Sequence, residues 1–381
     1  MKIYLDHAAT TPLEPSVLEA MKPYFCNFFG NPSSTHSFGK ETKEAIEDTR
    51  YKIARFLGAN EDEIVFTSSG TEANNLAIKG VCFANKNKNH IITSQIEHHS
   101  VLEVCHFLEK EGFSVTYLPV DSYGFVSPDD VKKAITKKTI LISIMHANNE
   151  IGTIEDIEEI GKIAWENDIY FHTDCVQTCS HIPLDVNSIN ADLVSISAHK
   201  LYGPKGVGAL YIRRGTRIKP LLHGGGHEKG LRSSTENTPG IVGFGKAIEI
   251  AEDLMQDEIK KLTFLRDKLI NGIMERVSAR LNGHPEKRLP CNVNVSIKSI
   301  NGEKLLLYLD REGIAASSAS ACSSSNEGPS HVLNAIGVPE EFIYGSIRFT
   351  LGRKTSDEEI DYVLDVLPKI VQKIEIASPI R

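Results

Sequence analysis

Short apolar runs alternate with segments of helical period along the chain up to about residue 240. The runs "EIVF", "HIITS", "ILISI", "IYFHTD", "LVSIS" and "VGALYI" are rich in the β-branched and aromatic residues of buried strands. Several are separated by segments of helical period, such as "TIEDIEEIGKIAWEND", and "TEANNLAIKGVCFAN" places its apolar residues on one face. Strands that alternate with helices form parallel sheets, so the pattern predicts an α/β domain with a mostly parallel sheet.

The pattern changes near residue 240. "PGIVGFGKAIEIAEDLMQDEIKKLTFLRDKLINGIMERV" predicts a long helical stretch, continuous or broken, after a proline. Beyond it, "CNVNVSI" and "GSIRFTLG" predict strands, and helices are expected around "GEKLLLYLDREG" and from about Ser356. We therefore predict a smaller α+β domain. Residues 15–255 are assigned to the large domain, and residues 1–14 and 256–381 to the small one.

Composition and charge narrow the class of protein. The 381 residues are 41% hydrophobic and 24% charged, as in an ordinary globular protein, and the net charge is −8. No run of Lys and Arg suggests a nucleic-acid or membrane partner, and we expect neither. The N-terminus "MKIYLDHAATTP" lacks the apolar core of a secretory signal, and no stretch approaches the roughly 18 apolar residues of a spanning helix. These features predict a cytoplasmic protein.

The cysteines are odd in number and scattered. There are seven, which suits reduced thiols better than a disulfide framework. Cys175 and Cys179 have a spacing that a metal pair could use, but no second pair follows, and "HTDCVQTCSHIPL" fits a strand end better. We expect no metal site. Cys322 differs from the rest because it lies in "SSASACSSSN", whose small and polar residues predict an exposed, mobile loop.

The most informative stretch is "LVSISAHKLYGPKGVGALYI". Lys200 follows a buried-looking strand, with Ser197 and His199 beside it, and strand ends of α/β sheets are where ligands bind. A partly desolvated lysine can form a Schiff base with a carbonyl cofactor such as pyridoxal 5'-phosphate (PLP). PLP also requires an acid for its pyridinium nitrogen, and "YFHTDCVQ" supplies Asp174 at another strand end.

A phosphate cradle is predicted at "TSSGTEANN". A glycine turn precedes Thr71 at a helix N-terminus, where backbone N–H groups and the helix dipole favour an anion. The same letters also suit a plain helix cap, since Ser, Thr and Glu serve that role. Together with Asp174 and Lys200, the segment favours the cofactor interpretation.

Motifs along nearly the whole chain resemble one enzyme family. They are "YLDHAATTP", "NPSSTHSFG", "SSGTEANNLAIKG", "HANNEIGT", "SAHKLYGPKGVG", "HGGGHEKGLRSSTEN" and "SIRFTLGR". They resemble the class V branch of the fold-type-I PLP enzymes, and within it the cysteine desulfurases of the NifS/IscS kind. The resemblance implies an α/β fold-type-I PLP-dependent transferase, in which the large domain holds the mostly parallel sheet and the smaller α+β domain carries the cysteine loop.

The resemblance also implies roles for the cofactor ligands. Lys200 would hold PLP, Asp174 would pair with the pyridinium nitrogen, and Gln177 would contact the ring hydroxyl. Asn149 would lie at the cofactor and also bind the substrate carboxylate. The implied phosphate ligands are Gly70, Thr71, Ser197 and His199, with Thr235 contributed by the other subunit of a homodimer.

The remaining implied roles concern the reaction. His98 would lie over the cofactor ring and move protons, whereas its neighbour His99 has no such role. Arg348 would bind the substrate carboxylate with Asn149, because the planar guanidinium can donate two hydrogen bonds to it. Cys322 would attack the sulfur of L-cysteine, leaving alanine and a Cys322 persulfide. By residue type alone, His98 could be structural, Arg348 a surface charge joining two strands, and Asn149 a turn former.

Two glycines of the family pattern are replaced here, by Ala319 and by Ser234, and the chain ends soon after its last helix. Longer family members dock an Fe–S scaffold protein through a C-terminal extension, so that kind of docking is in doubt, while an Fe–S scaffold or another sulfur acceptor remains the expected partner. Three alternatives stay open: a selenocysteine lyase, a class V aminotransferase, and a sulfur-carrier module without catalysis. An aminotransferase has no need for Cys322, and the carrier has no need for Lys200, His98 and Asp174.

Overall fold

The structure, a computed structural model, describes residues 2–318 and 328–377. Cys322 and Ala319 lie outside the described residues. The strands are β1 (Ile3–Tyr4), β2 (Ile64–Thr67), β3 (His90–Ser94), β4 (Ser114–Leu118), β5 (Thr139–Ser143), β6 (Tyr170–Asp174), β7 (Leu193–Ser197), β8 (Gly208–Ile212), β9 (Ala279–Leu281), β10 (Asn292–Ile297), β11 (Ile314–Ala315) and β12 (Ser346–Thr350). The α-helices are α1 (Pro15–Met21), α2 (Pro23–Cys26), α3 (Ser37–Leu57), α4 (Gly70–Ala84), α5 (His99–Lys110), α6 (Pro128–Ala134), α7 (Ile157–Glu166), α8 (Thr238–Arg276), α9 (Gly302–Arg311), α10 (His331–Ala335), α11 (Glu340–Ile343) and α12 (Asp357–Ala377).

Seven strands form the main sheet, in the order β2-β8-β7-β6-β5-β3-β4. Pairing is parallel from β7 to β4, whereas β8 runs antiparallel to both of its neighbours, β2 and β7. Apolar side chains on both faces of this sheet lie in two buried clusters, because helices cover each face. The predicted mostly parallel sheet is confirmed. The sequence prediction missed β4, whose residues are mainly half-buried or exposed and so lack a continuous apolar run.

A smaller sheet has the order β12-β10-β9 and is antiparallel throughout. Its apolar residues share a buried cluster with those of α9, α12 and the second half of α8. The prediction of strands and helices mixed in the last third of the chain agrees with these elements.

Helix α8 connects the two sheets as one continuous element of 39 residues. The Asn237 side chain caps it by accepting from the Gly240 N–H at 3.2 Å, and Pro239 occupies its first turn, where its missing N–H costs nothing. Residues from Ile241 to Ala251 pack in the core of the large sheet, and those from Leu262 to Ile273 pack against the small sheet. The predicted boundary at residues 255 and 256 falls within this helix, and the division into two domains stays a prediction.

The N-terminal segment crosses between the two sheets. Strand β1 pairs in parallel with β11, and Asp6 forms a parallel bridge with Thr350 at the end of β12. A few residues later, the Thr11 N–H donates to the His199 carbonyl at 3.0 Å, just beyond β7. The segment therefore covers the carboxyl ends of β6 and β7.

In the part of the chain that the structure describes, no helix is both long and apolar enough to cross a membrane.

Candidate active site

A cavity of about 270 Å³ opens beyond the carboxyl ends of β6 and β7, next to the first turns of α4 and α5. This is the edge of an open α/β sheet where ligands bind. The cavity brings together nine of the predicted site residues, which are Gly70, Thr71, His98, Asn149, Asp174, Gln177, Ser197, His199 and Lys200. Arg348 and Thr235 do not line it.

Lys200 enters the cavity from a short 3-10 turn, Ala198–Lys200, that follows β7 directly. Its Nζ donates to the main-chain carbonyl of Ala8 and, at 2.8 Å, to that of Ala9. The Gln177 side chain also donates to the Ala8 carbonyl, at 3.0 Å. The lysine and the glutamine are therefore both held by the N-terminal segment.

Asp174 ends β6 with its carboxylate largely buried, at 8% exposure. Its Oδ1 accepts from the Val176 N–H at 2.9 Å, and its Oδ2 accepts from Asn74 Nδ2 at 2.7 Å. These donors leave the carboxylate fixed at the cavity wall, where it can pair with a cationic ring nitrogen.

His98 is the N-cap of α5, and its Nδ1 accepts from the Ser100 N–H at 3.1 Å. Burial lowers the pKa of the His98 imidazole, and the positive charge of Lys200 lowers it further, with a smaller contribution from His99. The negative charge of Asp174 opposes this shift. The lowered pKa favours a neutral imidazole that can donate or accept one proton at the cavity.

The predicted phosphate cradle lies where α4 begins. The Ser69 side chain accepts from the Glu72 N–H at 3.1 Å, so this segment also caps the helix, as its Ser, Thr and Glu residues suggested. A Cβ on Gly70 would lie 2.6 Å from Val176 Cγ2, so a larger residue would clash with the Val176 side chain at this helix N-terminus. Ser197 Oγ is fully buried and has no hydrogen-bond partner among the described residues.

The surroundings of His199 and of the Ser197 hydroxyl test whether the cavity suits PLP. The His199 Nδ1 lies 3.2 Å from Thr10 Oγ1, and burial lowers the pKa of the imidazole to about 4, helped by the charges of Lys200 and Lys205. A buried hydroxyl without a partner is costly unless a ligand completes it. The Ser197 hydroxyl, the glycine at a helix N-terminus, the lysine amine and the Asp174 carboxylate match the groups that PLP requires.

Arg348 lies next to the cavity and behind Asn149, and at 1% exposure it is not the surface charge that its residue type allowed. Its Nη1 donates to the Asn149 carbonyl at 2.9 Å, and its Nη2 donates to Asp6 Oδ1 at 3.1 Å. Its Nε has no partner among the described residues. The main chain of Arg348 pairs with that of Ser317, with N···O distances of 3.1 and 2.8 Å, shortly before the segment that carries Cys322.

Thr235, Cys175 and Cys179 do not line the cavity. Thr235 is exposed, and a role in the partner's cavity stays a prediction. Cys175 and Cys179 are buried in the core of the large sheet, and burial raises the pKa of both thiols, that of Cys179 to about 12. In residues 2–318 and 328–377, no group of three or more His, Cys, Asp or Glu side chains could hold a metal ion.

Sequence reasoning missed several residues of the site. Asn74 and Ser100 line the cavity and hydrogen-bond to predicted site residues, and Asp6 holds Arg348. Asn74 could have been found, because a polar amide lies among the apolar positions of the buried face of α4. Ala8 and Ala9 contribute only carbonyl groups, which carry no signal in the sequence.

Comparisons with known proteins agree with this geometry. The family described as aminotransferase class-V matches residues 3–363. A relative named cysteine desulfurase IscS, from Dictyoglomus turgidum, is 61% identical over 382 residues, covering 100% of this chain and 97% of the relative. A solved NifS-like protein superposes with a TM-score of 0.93 at 40% identity, covering 98% of this chain and 100% of that chain. Another, SspA in complex with cysteine, has a TM-score of 0.80 at 41% identity, covering 92% of this chain and 99% of that one.

These similarities extend over nearly the full length of the chain, and they include relatives that are identical to it at more than half of their aligned positions. The chain therefore belongs to the class-V aminotransferase family and, within it, to the cysteine desulfurases of the NifS and IscS kind.

Proposed function

We propose that the protein is a PLP-dependent cysteine desulfurase that converts L-cysteine to L-alanine and passes the sulfur, as a persulfide on Cys322, to an acceptor. The observation that carries this proposal is the meeting of Lys200, Asp174 and the orphaned Ser197 hydroxyl in one cavity. The cysteine bound by the relative SspA supports cysteine as the substrate.

PLP would be held by residues that line the cavity. Lys200 would bind its aldehyde carbon, Asp174 its ring nitrogen and Gln177 its ring hydroxyl. The phosphate would be held by Ser197, His199 and the first turn of α4 at Gly70 and Thr71, with Thr235 of the partner subunit. When bound, the cofactor withdraws electrons from the α-carbon of the amino acid.

The side chains around the substrate would divide the remaining work. Arg348 Nε, which has no partner among the described residues, is a donor for the substrate carboxylate, and Asn149 lies between it and the cavity. The Lys200 amine would take the α-proton, and His98 would move a proton at its Nε2. Each of these groups is positioned by hydrogen bonds that exist before the substrate binds.

The sulfur transfer needs a cysteine thiol, and none of the described residues that line the cavity is a cysteine. The Cys322 thiolate would attack the substrate sulfur, forming an S–S bond while the bond from that sulfur to the β-carbon breaks. The β-carbon takes up the proton that the substrate thiol loses, and Lys200 would return the α-proton to the α-carbon, so the products are alanine and the Cys322 persulfide. That persulfide would then transfer its outer sulfur to an Fe–S scaffold or another acceptor for thio-cofactor assembly.

A homodimer is part of the proposal. Phe25, Phe29 and Phe38 are 60%, 68% and 51% exposed, and the rings of Phe29 and Phe38 lie 5.7 Å apart. Clustered exposed aromatic rings are typical of a surface that another protein covers. We propose that a second copy of the chain covers this surface.

The test is release of sulfide and alanine from L-cysteine with a thiol reductant. Wild type should release both products. Cys322→Ala should keep the visible absorbance of bound PLP and release neither. Cys26→Ala is the control, because Cys26 is an exposed thiol that does not line the cavity, and it should match wild type. If Cys322→Ala still released sulfide at the wild-type rate, Cys322 would not be the acceptor, and a lyase or an aminotransferase would explain the site better.

A further inference from the structure

Four side chains along one wall of the cavity form a continuous row of hydrogen bonds. Asn74 Nδ2 donates to Asp174 Oδ2 at 2.7 Å and to Ser100 Oγ at 2.8 Å. Ser100 Oγ lies 2.8 Å from His98 Nδ1. The row therefore connects Asp174, which is predicted to pair with the PLP ring nitrogen, to His98, which is predicted to move protons. The two residues between them, Asn74 and Ser100, have no assigned role.

The direction of each hydrogen bond in this row is fixed by chemistry. A carboxylate only accepts, so the Asn74 amide must turn its nitrogen toward Asp174, and its Oδ1 is left without a partner among the described residues. Both hydrogens of that nitrogen are then used. His98 Nδ1 accepts from the Ser100 N–H and so carries no hydrogen, and the Ser100 hydroxyl must therefore be the donor in its contact with Nδ1.

The row determines which nitrogen of His98 carries a proton. Nδ1 accepts from the Ser100 hydroxyl and from the Ser100 N–H, at 2.8 and 3.1 Å. A neutral ring in this position must therefore carry its hydrogen on Nε2, the nitrogen left for groups in the cavity. We propose that Asn74 and Ser100 are positioning residues that hold His98 in its Nε2–H tautomer and connect it to the Asp174 carboxylate.

This role rests on the proposed function, in which His98 moves a proton, but it can be measured without turnover. Donors at Nδ1 stabilise the neutral ring, so losing one should raise the pKa of His98 by about half a unit to one unit. The other charged or titratable groups that act on His98 are Asp174, Lys200, His99 and His331. The Ser100 substitutions remove no hydrogen bond from these four groups, whereas Asn74→Leu also removes the one that Asp174 accepts from Asn74.

The experiment is a pH titration of the full-length protein carrying ¹³Cε1-labelled histidine, with and without added PLP. Comparison with His98→Gln assigns the His98 signal among the 14 histidines. Ser100→Ala should raise the His98 pKa, and Ser100→Thr, which keeps the hydroxyl, should restore it. Asn75→Leu is the matched control for Asn74→Leu, because within the described ranges the Asn75 side chain donates to the Thr71 carbonyl and to none of the residues in this row.

A double-mutant cycle tests whether Asn74 acts through Ser100. Asn74→Leu should change the His98 pKa by a different amount in the wild-type background than in the Ser100→Ala background, because only in the first can Asn74 act through Ser100. Any change that persists in the second background is the part that acts through Asp174. Additive shifts would overturn the connection, and an unchanged His98 pKa in Ser100→Ala would overturn the role of Ser100. If the Asn74→Leu protein does not fold, the Ser100 pair of variants decides the tautomer role alone.

The proton-transfer role has its own readout. In Ser100→Ala, the acidic limb of the pH profile of kcat/KM for sulfide release should move by the same amount as the His98 pKa. If the titration shifts but wild type releases no sulfide, the positioning stands and the desulfurase proposal fails. If sulfide release is normal and the titration does not shift, the desulfurase proposal stands and the positioning fails.

Discussion

The Arg348 guanidinium donates to the Asp6 carboxylate at 3.1 Å, and the arginine side chain is 2% exposed. This ion pair joins β12 to the N-terminal segment. Two and three residues later, the carbonyls of Ala8 and Ala9 accept from Lys200. The residue proposed for the substrate carboxylate and the residue proposed for the cofactor are therefore positioned by the same four-residue stretch, residues 6–9.

Arg348→Lys should raise the KM for L-cysteine by about 10- to 100-fold, since lysine keeps the charge but loses the planar fork that binds a carboxylate. The measurement is the initial rate of sulfide release against cysteine concentration. Arg353→Lys is the control, because Arg353 is a largely buried arginine that also pairs with carboxylates, those of Glu14 and Glu258. It should lower the thermal midpoint and leave KM unchanged. An unchanged KM in Arg348→Lys would contradict carboxylate binding.

Ser197→Ala should weaken PLP binding by about 10- to 150-fold, the effect of losing one hydrogen bond to a charged group. It should not lower the thermal midpoint of the cofactor-free protein, because the Ser197 hydroxyl has no hydrogen bond to lose among the described residues. PLP titration followed by visible absorbance gives the affinity.

The control for this change is on the same strand. Ser195 is fully buried, and its hydroxyl lies 3.0 Å from His172 Nε2, so Ser195→Ala should destabilise the protein and spare PLP affinity. The reverse pattern, in which Ser197→Ala lowers stability without changing PLP affinity, would show that the hydroxyl is structural.

The sequence predicted best what lies in short stretches at strand ends. Lys200 and Asp174 each follow a run of buried strand residues, and Gly70 opens a helix, so local patterns were enough to place them at one sheet edge. The long helix α8 was predicted, and its continuity was left open. Glycines near its start weaken the helical pattern there, and the structure shows the helix to be continuous.

The contacts that hold the site together are distant in sequence and could not be predicted in the same way. Asp6 and Arg348 are 342 positions apart, and the groups that hold Lys200 are main-chain carbonyls, which every residue has. Asn74 and Ser100 are 26 positions apart, and only the packing of α4 against α5 makes them neighbours. Such contacts depend on how the elements pack, which local patterns do not specify.

Glu228→Gln should destabilise the protein by about 2–3 kcal/mol, because it removes the negative charge of a buried carboxylate that pairs with an arginine. Both Glu228 oxygens accept from Arg50 at 2.8 Å, and Oε2 also accepts from the Phe66 N–H at 2.7 Å. Glu252→Gln, which breaks the exposed pair with Arg55, should have a much smaller effect, because solvent screens exposed charges. Denaturant unfolding compares the two.

The same substitution tests the segment that leads to Thr235. Glu228 fixes the start of that segment, and Arg232 anchors it again through Glu72 at 2.8 Å. If Thr235 serves the partner's cavity, Glu228→Gln should also weaken PLP binding in the dimer. A loss of stability without any change in PLP affinity would argue against that contribution.

Glu97 should make the stability of the protein fall as the pH rises. Burial raises the pKa of its carboxyl to about 8, although hydrogen bonds from the Met145 N–H and the Ser94 hydroxyl act in the opposite direction. In the unfolded chain the group ionises near its ordinary pKa of about 4.3. Between these two values the unfolded state releases a proton that the folded state keeps, so the free energy of unfolding decreases by up to about 1.4 kcal/mol per pH unit.

Glu97→Gln removes this titration and should gain stability relative to wild type as the pH rises from 5 to 8. Thermal midpoints at each pH measure the difference. Glu103→Gln, on the exposed side of α5, is the control and should follow wild type at every pH, since its side chain is 72% exposed. Glu155, whose pKa burial also raises to about 8, leaves a residual slope in the Glu97 variant. A difference between Glu97→Gln and wild type that does not change with pH would mean that Glu97 is ionised in the folded protein.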